Sequence, residues 1–384
     1  MNICIDIRMF NSSGIGTYLK NIVPQIIELC PEFDFTLLGN ISELKNYTWT
    51  KDKNVNIVQF DAPIYSIAEQ IKYKNVIPNN CDLFWMPHYN IPLFLSSQKI
   101  LVTIHDLNHM VFFSCLSPKY HYARTMINAA VKKSVHILTI SNFTKSELIK
   151  YTNIDGNKIF VHSHGIDKNY FKPIRNIEIL KEIKFKYSLP NKFILYVGNI
   201  KPHKNLKILM RAYKDLLIDN DDCKLVIVGK KTGFITGDKK LFKEINNSSG
   251  LKNNVVFTGF VDENDLPCVY SLAELFVFPS LYEGYGYPPL EAMACGCPAL
   301  VSKCASIPES CGDGALYFDP KKPDDLKESI IKILNNKKLI EKMKKRGLQR
   351  ASEHSWATAS KEIVSKFHDI FYPESTVKKI YHTL

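Results

Sequence analysis

The sequence of 384 residues lacks the features that mark several large classes of protein. It contains no apolar run of about 18 residues or more, so we expect no membrane-spanning helix. It begins MNICIDIRMFNSSG, a short strand and a polar loop, so we expect no signal peptide. Neither an internal repeat nor a low-complexity segment is evident. With 45% hydrophobic residues, the chain has the composition of a globular protein and the length of two domains.

Metal-binding patterns are missing as well. Seventeen residues contain four of the ten cysteines, but their spacing matches no paired C-x2-C zinc frame: Cys295, Cys297, Cys304 and Cys311. We expect these cysteines to be small buried hydrophobic residues. No aspartate pair closes an apolar strand, where Mg²⁺ would hold a diphosphate. The sequence therefore predicts no metal and, since the cysteines are scattered and no export signal is seen, reduced thiols in a cytosol.

The net charge of +12 is distributed unevenly. Residues 1–170 hold 16 Lys and Arg against 13 Asp and Glu, whereas the remainder holds 34 against 25. Eleven basic residues lie on a helical pattern between Lys321 and Arg350. We favour a solvated helix face here over attraction to anionic lipid or substrates. We expect no nucleic-acid partner, because no groove-reading module or aromatic-interleaved basic motif is present.

Strands and helices alternate along the chain, which is the pattern of parallel α/β sheets. The first half contains seven predicted strands, NICIDI (2–7), FTLLG (35–39), VNIVQF (55–60), LFWM (83–86), ILVTIH (100–105), HILTIS (136–141) and IFVHS (159–163). The second half contains six, FILYVG (193–198), LVIVG (225–229), VVFTG (255–259), LFVFPS (275–280), PALVS (298–302) and ALYFD (315–319). The predicted fold is α/β, with two Rossmann-like domains that face a cleft and bind ligands at the carboxyl ends of their strands.

The segment PSLYEGYGYPPLEAMACGCP (279–298) carries more functional information than any other. It places Glu283 and Glu291 eight positions apart, on either side of a turn with two glycines and a proline pair. One unbroken helix cannot carry both carboxylates, because proline clashes with the preceding helical turn. We predict that Glu283 lies on a loop after a strand, and that a helix begins near Pro289 with Glu291 in its first turn.

The turn between the two glutamates suits a phosphate group. Backbone N–H groups of a Gly-rich loop and the positive end of a helix dipole meet there. The flanking carboxylates can accept hydrogen bonds from hydroxyl groups, as from a ribose and a hexose. The pattern predicts a nucleotide-sugar site, with donor contacts from the turn residues Gly284, Tyr285, Gly286 and Tyr287.

A second motif, VGNIKPHKN (197–205), follows the first strand of the second half. The strand ends at Gly198, a short loop begins at Asn199, and Lys204 lies at the apparent start of a helix. A lysine beside helix N–H groups is well placed to neutralise a diphosphate. The alternative is an ordinary exposed helix lysine.

In the first half, SSGIGTYLKN (12–21) follows the first strand, and Gly14 and Gly16 permit close approach of a ligand to the backbone. Taken alone, G-x-G-x-x-L is a weak dinucleotide signal, and Asp34 lies near the spacing of a ribose-binding acid. That NAD hypothesis leaves the motifs of the second half unexplained. His105 and Asp106 end a predicted strand, where the histidine either bonds a sugar hydroxyl or caps the strand.

The segment around the two glutamates resembles the E-x7-E signature of the retaining glycosyltransferases with the GT-B fold, often called family four. Other segments are similar to the recurrent segments of that family, in the same order: TISNFTKSELIKY (139–151), HGIDKNYF (164–171), YVGNIKPHKN (196–205), FTGFV (257–261), SIPESCGDGALYFDP (306–320) and HSW (354–356). The resemblance extends from the N-terminal glycines to Trp356.

The resemblance implies roles for individual residues. Lys204 would bind the diphosphate, Glu283 the donor sugar and Glu291 the ribose. The loop of Gly14 and Gly16 would lie beside the donor diphosphate and the acceptor. Glu283, Lys204 and His105 would be the catalytic residues. Gly198 and Asn199 would contact the donor, and Asp106 would belong to the acceptor side. Many relatives carry an arginine where this chain has Asn199, which leaves Lys201 and His203 as alternative cations, and His164 replaces a usual asparagine and is predicted to be structural.

The resemblance also implies a domain plan. Residues 1–171 would form an acceptor-binding Rossmann-like domain, 172–192 a crossover linker, and 193–355 a nucleotide-sugar-binding Rossmann-like domain. Residues 356–384 would form a helical segment that returns to the first domain.

The implied activity is transfer of a hexosyl unit from a nucleoside diphosphate sugar to a glycan or lipid-linked acceptor in cell-surface polysaccharide assembly. It would proceed with retention, without a metal or other cofactor, and the E-G-Y-G and P-P-L-E-A-M-A-C-G strings favour mannosyl transfer from GDP-mannose. A nucleotide-sugar epimerase of the same architecture and a non-catalytic sugar-nucleotide binder are the alternatives.

The expected location is the cytoplasm, with contact to the inner face of the cytoplasmic membrane. The stretch SPKYHYARTMINAAVKKSV (117–135) is the best candidate for that contact, because aromatic and basic residues alternate with apolar ones. The same apolar residues suit a helix packed on the domain core, and the sequence does not separate the two interpretations.

Overall fold

A computed structural model describes residues 1–95, 98–217, 223–229, 243, 245 and 247–372 of the chain. The contacts divide the chain into two compact units. Unit 1 contains residues 1–165 and the C-terminal segment from Ser355, and unit 2 contains Ile166–His354. Each unit is described by itself.

Thirteen strands form in the described residues. In chain order they are β1 (Asn2–Asp6), β2 (Asp34–Gly39), β3 (Val55–Gln59), β4 (Leu83–Met86), β5 (Lys99–Ile104), β6 (Ser134–Thr139), β7 (Ile159–Val161), β8 (Phe193–Val197), β9 (Lys224–Val228), β10 (Val255–Gly259), β11 (Leu275–Phe278), β12 (Ala299–Ser302) and β13 (Leu316–Phe318). Every strand predicted from the sequence is confirmed, with its ends shifted by at most a few residues.

The helices connect these strands. In chain order they are α1 (Ser13–Leu29), α2 (Ile41–Leu44), α3 (Ile67–Val76), α4 (Asn108–Phe112), α5 (Pro118–Lys133), α6 (Asn142–Thr152), α7 (Ile177–Lys186), α8 (Leu206–Leu216), α9 (Ser249–Asn254), α10 (Leu266–Leu272), α11 (Tyr287–Ala294), α12 (Ile307–Cys311), α13 (Pro323–Leu334), α14 (Lys337–Ser352) and α15 (Trp356–Phe371). In the part of the chain that is described, no helix is both long and apolar enough to span a bilayer.

Each unit contains one parallel sheet. In unit 1 the strand order is β3-β2-β1-β4-β5-β6-β7, and in unit 2 it is β10-β9-β8-β11-β12-β13. In both sheets the direction of strand addition reverses once, next to the first strand of the unit. That reversal is the topological switch point of a doubly wound sheet, where the loops after two neighbouring strands diverge and leave room for a ligand.

Central strands of both sheets are continuous apolar runs, because helices cover both faces of a parallel sheet. The core strand β4 has all four of its residues buried, and β11 likewise. Polar side chains for binding a ligand are therefore expected mainly on the loops and helices that follow these central strands.

The C-terminal helix α15 packs in unit 1 against α1. Glu362 accepts hydrogen bonds from the Ser163 backbone N–H at 2.8 Å and from its hydroxyl, and the ring of Phe367 lies 5.8 Å from that of Trp85. Residues 373–384 of the predicted returning segment lie outside the described residues. The predicted linker 172–192 lies in unit 2, where α7 contacts α10.

The glycine of the H-G-I-D motif is required by packing inside unit 1. A Cβ added to Gly165 would lie 2.2 Å from the backbone nitrogen of Trp356 and 2.4 Å from its ring. We predict that Gly165→Ala destabilises unit 1 by about 3 kcal/mol, because the α15 backbone must move to remove the clash. Scanning calorimetry would measure this as a fall in the unfolding temperature of roughly 6–12 °C.

Gly250→Ala is the matched control for that variant. Its added Cβ would lie 3.7 Å from Leu217, an ordinary contact, and alanine favours the helix α9. An unfolding temperature for Gly165→Ala equal to that of the control would contradict the packing account.

Candidate active site

The candidate site begins where β8 and β11 end. The two strands are parallel neighbours, with Ile194 opposite Leu275 and Leu195 opposite Phe276. Their carboxyl ends therefore leave the sheet at the same edge, on either side of the switch point of unit 2. The loop 198–205 follows β8 and the loop 279–286 follows β11, so the two functional motifs of the second half become neighbours.

Lys204 and Glu283 meet across these loops. The Nζ atom of Lys204 lies 2.6 Å from Oε1 of Glu283, and the two side chains are only 17% and 14% exposed. The ammonium group also lies 5.6 Å from the centre of the Phe278 ring, on its face. The residues that the sequence assigned to the diphosphate and to the donor sugar therefore form one partly buried ion pair.

Backbone contacts hold both members of this pair in place. The Leu281 N–H donates to the carbonyl oxygen of His203 at 2.7 Å, which ties the second loop directly to the first. The hydroxyl of Ser306 donates to the carbonyl oxygen of Glu283 at 2.8 Å. Ser306 was not predicted, although it opens the S-I-P-E-S segment of the sequence. The geometry of the pair is thus set by the main chain as well as by the charges.

The loop after β8 makes a single 3-10 turn, Pro202–Lys204, before α8 begins at Leu206. Lys204 is therefore the last residue of this turn and not the first of the helix. Asn205 has a φ angle of +55° and turns the chain into α8, and its side chain donates to the Pro320 carbonyl oxygen at 2.9 Å. Gly198, with a φ angle of +152°, lies in a conformation that favours glycine.

The two alternative cations near Asn199 differ in their charge. Burial, and after it the charge of Lys204, lowers the pKa of His203 to about 4, so this imidazole is neutral at pH 7. Lys201 is exposed, and its backbone N–H donates to the Asn199 carbonyl oxygen. The Asn199 carbonyl also accepts from the Tyr196 hydroxyl at 3.0 Å. Of the two residues, only Lys201 offers a positive charge near neutral pH.

The turn 284–287 leads into α11, which begins two residues earlier than the sequence indicated. Gly286, with a φ angle of +101°, provides the N-cap, and both prolines are accommodated in the first turn. Glu291 consequently lies in the second turn, so the predicted first-turn position is wrong. The prolines also remove two of the N–H donors of this helix end.

The two tyrosines of the turn are differently placed. Tyr285 is buried, and its hydroxyl donates to Nδ1 of His354 at 2.7 Å, while Nε2 of that histidine donates to the Ser310 carbonyl oxygen. Tyr287 is half-buried, and its ring lies 6.1 Å from that of Tyr285. The side chain of Tyr285 therefore anchors the turn to the H-S-W segment, and a ligand at this residue would meet its backbone.

Glu291 is half-buried in α11, and Tyr270 is its hydrogen-bond partner among the described residues. The hydroxyl of Tyr270 donates to its Oε2 at 2.8 Å. Burial is the main reason why the pKa of Glu291 is raised to about 7, and the charge of Glu263 adds to the effect. Tyr270 was missed at the sequence level, because it lies in a helix, 21 residues before its partner. A carboxylate held this way can accept hydrogen bonds on its remaining oxygen.

Tyr170 adds a second phenol to the surroundings of Glu291. Its hydroxyl is buried without a hydrogen-bond partner among the described residues. Burial chiefly, and then the charges of Glu263 and Glu291, raise the pKa of this phenol. Tyr170 belongs to the H-G-I-D-K-N-Y-F segment, which was quoted for the resemblance without a role for this residue.

In unit 1, the two predicted glycines occupy the first turns of α1. Gly14 is exposed, whereas Gly16 is buried, and a Cβ on Gly16 would lie 2.5 Å from the Phe10 carbonyl oxygen. The chain's own backbone thus requires a glycine at position 16. The exposed Gly14 leaves the start of α1 open to a ligand.

His105 and Asp106 follow β5 in unit 1. Nε2 of His105 donates to the Pro87 carbonyl oxygen at 3.1 Å, which leaves Nδ1 as the hydrogen-bond acceptor of the ring. Burial lowers the pKa of His105 to about 4, so the imidazole is neutral at pH 7. Asp106 accepts from the Asn108 N–H at 2.9 Å at the beginning of α4. His105 can therefore accept a hydrogen bond from a hydroxyl group at Nδ1, but its ring carries no positive charge at pH 7.

A buried charge network at the end of β1 was not predicted. Arg8 donates to Asp6 at 2.6 Å, to Glu69 at 2.5 Å and to the Tyr73 hydroxyl at 2.7 Å. The signal available in the sequence was the D-I-R tripeptide directly after an apolar strand. Beside this network lies a cavity of about 300 Å³, lined in part by Phe10, Asn40, Glu43, Phe60 and Asp61.

One group of described residues has the side chains and spacing to hold a metal ion. Cys30, Glu32 and His368 of unit 1 offer ligand atoms within 4.8 Å of one another. This group does not belong to the loops that carry Lys204 and Glu283. The four clustered cysteines of unit 2 are free thiols, three of them buried, and Cys304 donates to the carbonyl oxygens of Ser280 and Leu281.

Comparisons with known proteins agree with this architecture. Residues 180–350 match the family described as glycosyl transferases group 1. The chain is 28% identical over 292 residues to the O-antigen chain mannosyltransferase B of Escherichia coli, covering 74% of this chain and 72% of that protein. It is 32% identical over 255 residues to the O-antigen chain mannosyltransferase RfbU of Salmonella typhimurium, covering 66% and 65%. It also spans 29% of the serotype-specific mannosyltransferase WbdA of Escherichia coli, with 32% identity over 62% of this chain.

Two solved structures show the same fold. HepE of Anabaena, in complex with UDP and glucose, superposes with a TM-score of 0.77 at 17% identity and covers 96% of this chain and 100% of its own. WaaG, a glycosyltransferase involved in lipopolysaccharide biosynthesis, superposes with a TM-score of 0.71 at 15% identity, covering 97% and 100%. Residues 180–350 of the chain belong to the group 1 glycosyltransferases, and the chain has the GT-B fold.

Substitutions of Glu283 and Glu291 are predicted to change different kinetic constants. Glu283→Gln should lower kcat more than it raises the donor KM, because a group beside the reacting sugar acts in the transition state. Glu291→Gln should mainly raise the donor KM, because a contact to the ribose has similar strength in the ground-state complex and in the transition state. Losing a charge-assisted hydrogen bond costs about 1.5–3 kcal/mol, or roughly ten- to a hundredfold. Steady-state kinetics with varied donor would measure both constants.

Lys204→Ala should lower kcat and also raise the donor KM, because the ammonium group would contact the diphosphate both before and during its departure. Circular dichroism would serve as the control for folding in all three variants. Near wild-type kinetics in both Gln variants would exclude the assignment of Glu283 and Glu291 to the donor.

A pH effect follows from the raised pKa of Glu291. Its folded-state pKa of about 7 lies above the ordinary value of 4.5, so the folded protein binds more protons than the unfolded chain between these values. The free energy of unfolding should therefore fall as pH rises from 4.5 through 7. We predict that Glu291→Gln gains thermal stability relative to wild type at pH 8 and gains little at pH 4.5. Exposed Glu328 provides the control, and an equal shift for Glu328→Gln would refute the burial effect.

Proposed function

We propose that this protein is a retaining glycosyltransferase that moves a hexosyl unit from a nucleoside diphosphate sugar to a hydroxyl of a glycan or lipid-linked acceptor. The observation that carries the proposal is the Lys204–Glu283 pair at the switch point of unit 2, in a chain of this family. A cation for the diphosphate and a carboxylate for the sugar hydroxyls lie 2.6 Å apart. That spacing suits a ligand whose phosphate and sugar are adjacent.

The donor would replace part of the internal ion pair. In the donor-free protein, Glu283 neutralises Lys204, and an ammonium group has three N–H donors. An arriving diphosphate takes one or two of them, while the carboxylate turns its acceptors to the sugar hydroxyls. Glu291 accepts from the ribose, and the backbone N–H groups of Gly284 and Gly286 face the phosphates.

The chemistry would follow the front-face course. The bond from the sugar C1 to the diphosphate oxygen breaks, and a bond from C1 to the acceptor oxygen forms on the same face. The proton of the acceptor hydroxyl moves to the departing diphosphate. Lys204 and the loop N–H groups stabilise the negative charge that develops on the leaving group. A double displacement would need a carboxylate nucleophile, and neither Glu283 nor Glu291 takes that role here.

Metal independence is part of the proposal. The charge that a divalent cation supplies in other diphosphate sites would come here from Lys204, with Lys201 as the exposed cation of the same loop. Neutral His105 of unit 1 would accept a hydrogen bond at Nδ1 from a sugar hydroxyl. Gly14 and Asp106 of unit 1 belong to the acceptor side.

The transferred sugar is proposed to be mannose, from GDP-mannose. Three relatives at 28–32% identity are named as mannosyltransferases, two of them for the O-antigen chain. The corresponding role for this chain is extension of a cell-surface polysaccharide. We place the reaction in the cytoplasm, at the inner face of the cytoplasmic membrane, where lipid-linked acceptors are available.

Incubation with a panel of radiolabelled donors, with and without a lipid-linked oligosaccharide acceptor, tests this function. We expect label in the acceptor, most of it from GDP-mannose, and α-configured linkages from an α-configured donor. An isomerised donor would indicate an epimerase instead, and binding without turnover would indicate a binding protein. Either result overturns the proposal.

The same assay with EDTA tests metal independence. Activity should persist after chelation, because no step depends on a divalent cation. An activity lost in EDTA and restored by Mg²⁺ or Mn²⁺ would contradict this part of the proposal.

A further inference from the structure

The cavity of about 300 Å³ beside Arg8 lies at a defined place in the sheet of unit 1. Its lining residues belong to the segments 7–10, 40–44 and 60–64, which directly follow β1, β2 and β3. These three strands are neighbours, in the order β3-β2-β1. The cavity therefore lies at the carboxyl edge of a parallel sheet, which is the edge where such sheets bind ligands.

The lining of this cavity is apolar where it is buried and polar where it is accessible. Ile7, Leu44 and Phe60 are at most 2% exposed. Glu43 and Asp61 are exposed, and Asn40 is half-buried. Pockets for small ligands combine an apolar lining with a few polar groups in this way and begin at about 300 Å³. The volume of this cavity suits a unit as small as a sugar ring.

The polar lining residues keep hydrogen-bonding atoms for a ligand. Among the described residues, Glu43 accepts from Asn11 with Oε2 at 2.6 Å, which leaves Oε1 for a ligand. Asp61 accepts from Gln59 with Oδ1, which leaves Oδ2. Asn40 uses its Oδ1 to cap α2, which leaves the amide N–H groups as donors. Acceptors and a donor together complement hydroxyl groups, because a hydroxyl both donates and accepts.

The charges that line the cavity disfavour an anion. Arg8 is part of the lining, but its guanidinium group is paired with Asp6 at 2.6 Å and with Glu69 at 2.5 Å. It therefore brings no net positive charge to the cavity, whereas Glu43 and Asp61 bring two negative charges. A phosphate or an acidic sugar would be repelled by these carboxylates. The hydroxyl groups of a neutral sugar can donate to them.

The buried charge network holds one wall of the cavity in place. Nη1 of Arg8 donates to the Ala62 carbonyl oxygen at 2.7 Å. Glu69 of α3, which is fully buried, accepts from the Tyr65 backbone N–H at 2.9 Å. Tyr65 has a φ angle of +67°, which is a costly conformation for an aromatic residue. These contacts maintain the conformation of the segment 60–65, so the wall is formed before a ligand binds.

The cavity is separated from the candidate catalytic histidine of unit 1. His105 follows β5, and the strand order places β1 and β4 between β2 and β5. Because adjacent strands lie about 4.8 Å apart, the three steps from β2 to β5 amount to about 14 Å. This distance is longer than one sugar ring. A glycan of several units is therefore needed to occupy the cavity and also reach His105.

We infer that this cavity is a subsite for a neutral sugar unit of the acceptor glycan, located behind the unit that receives the transferred hexose. The inference rests on the proposed function and deepens it, because an enzyme with this subsite extends longer chains in preference to short ones. Asn40, Glu43 and Asp61 bind the hydroxyl groups of the sugar unit, and the apolar lining contacts the C–H groups of its ring. The two carboxylates select a neutral unit over an acidic one.

Titration with glycans in the absence of a donor tests the inference on the full chain. The probes are α-linked mannose oligosaccharides of one to five units, with dissociation constants from saturation-transfer NMR. We expect the pentasaccharide to bind wild type at least about tenfold more tightly than the monosaccharide. The double variant Glu43→Gln with Asp61→Asn should lose most of this gain, because it loses two charge-assisted hydrogen bonds. The matched control is Glu28→Gln with Asp52→Asn, which changes two exposed carboxylates outside the cavity and should keep the gain.

Asn40→Asp separates the contact to the sugar from the structural role of this residue. Aspartate caps a helix as well as asparagine does, so the unfolding temperature should stay at the wild-type value. The variant loses the amide donor and adds a third carboxylate to the cavity. It should therefore bind the mannose pentasaccharide about tenfold more weakly than wild type.

An acidic probe tests the selection by charge. A pentamer of α-linked galacturonic acid should bind wild type at least about tenfold more weakly than the mannose pentasaccharide, because its carboxylates meet those of Glu43 and Asp61. The double variant, which lacks both charges, should reduce this difference.

Four outcomes would overturn the inference. They are no gain with glycan length in wild type, equal binding of the two pentamers to wild type, an unchanged gain in the double variant, and an equal loss in the control pair. The titrations need no turnover, so the subsite and the proposed function can fail separately. Label transfer without a gain in affinity with length would contradict the subsite alone, and a gain without label transfer would contradict the glycosyltransferase proposal alone.

Discussion

The parallel pairing of β8 with β11 is the constraint on which the candidate site depends. Residues 194 and 275 are opposite each other in the sheet although 81 positions separate them, and the two strands end at one edge. Lys204 and Glu283 lie close together because they follow these two strands. The backbone hydrogen bond from Leu281 to His203 holds the two loops together as well. A nucleotide sugar would therefore meet a site whose charges are already positioned, which lowers the entropic cost of binding.

The two sheets have the same kind of switch point, but the charged residues at these two points differ. At the switch point of unit 1, the charges of Arg8, Asp6 and Glu69 are satisfied internally, so this network supports the fold. At the switch point of unit 2, the ion pair retains some exposure, and Glu291 is held near its protonation midpoint at pH 7. Burial of a charged group without full compensation costs stability, and such groups concentrate where ligands bind.

The strands and both main motifs could be predicted from the sequence, because apolar runs and Gly-Pro punctuation are local signals. The contacts that shape the site could not. Tyr270 reaches Glu291 from another helix, and the start of α11 depends on the φ angle of Gly286. The inward Glu69 of α3 reverses the usual pattern because Arg8, 61 residues away, pairs with it. Assignments to the donor, to the acceptor and to the metal-free mechanism stay predictions, since they concern ligands and not the chain alone.

The most direct measurement of the central claim compares nucleotides that differ by one phosphate. Calorimetric titration of wild type and Lys204→Ala with GDP, GMP, UDP and UMP would isolate the contribution of the lysine to the second phosphate. Wild type should prefer the diphosphate of its own base by at least about tenfold, and Lys204→Ala should lose most of that preference while monophosphate affinity changes little. An unchanged diphosphate preference in Lys204→Ala would contradict the account.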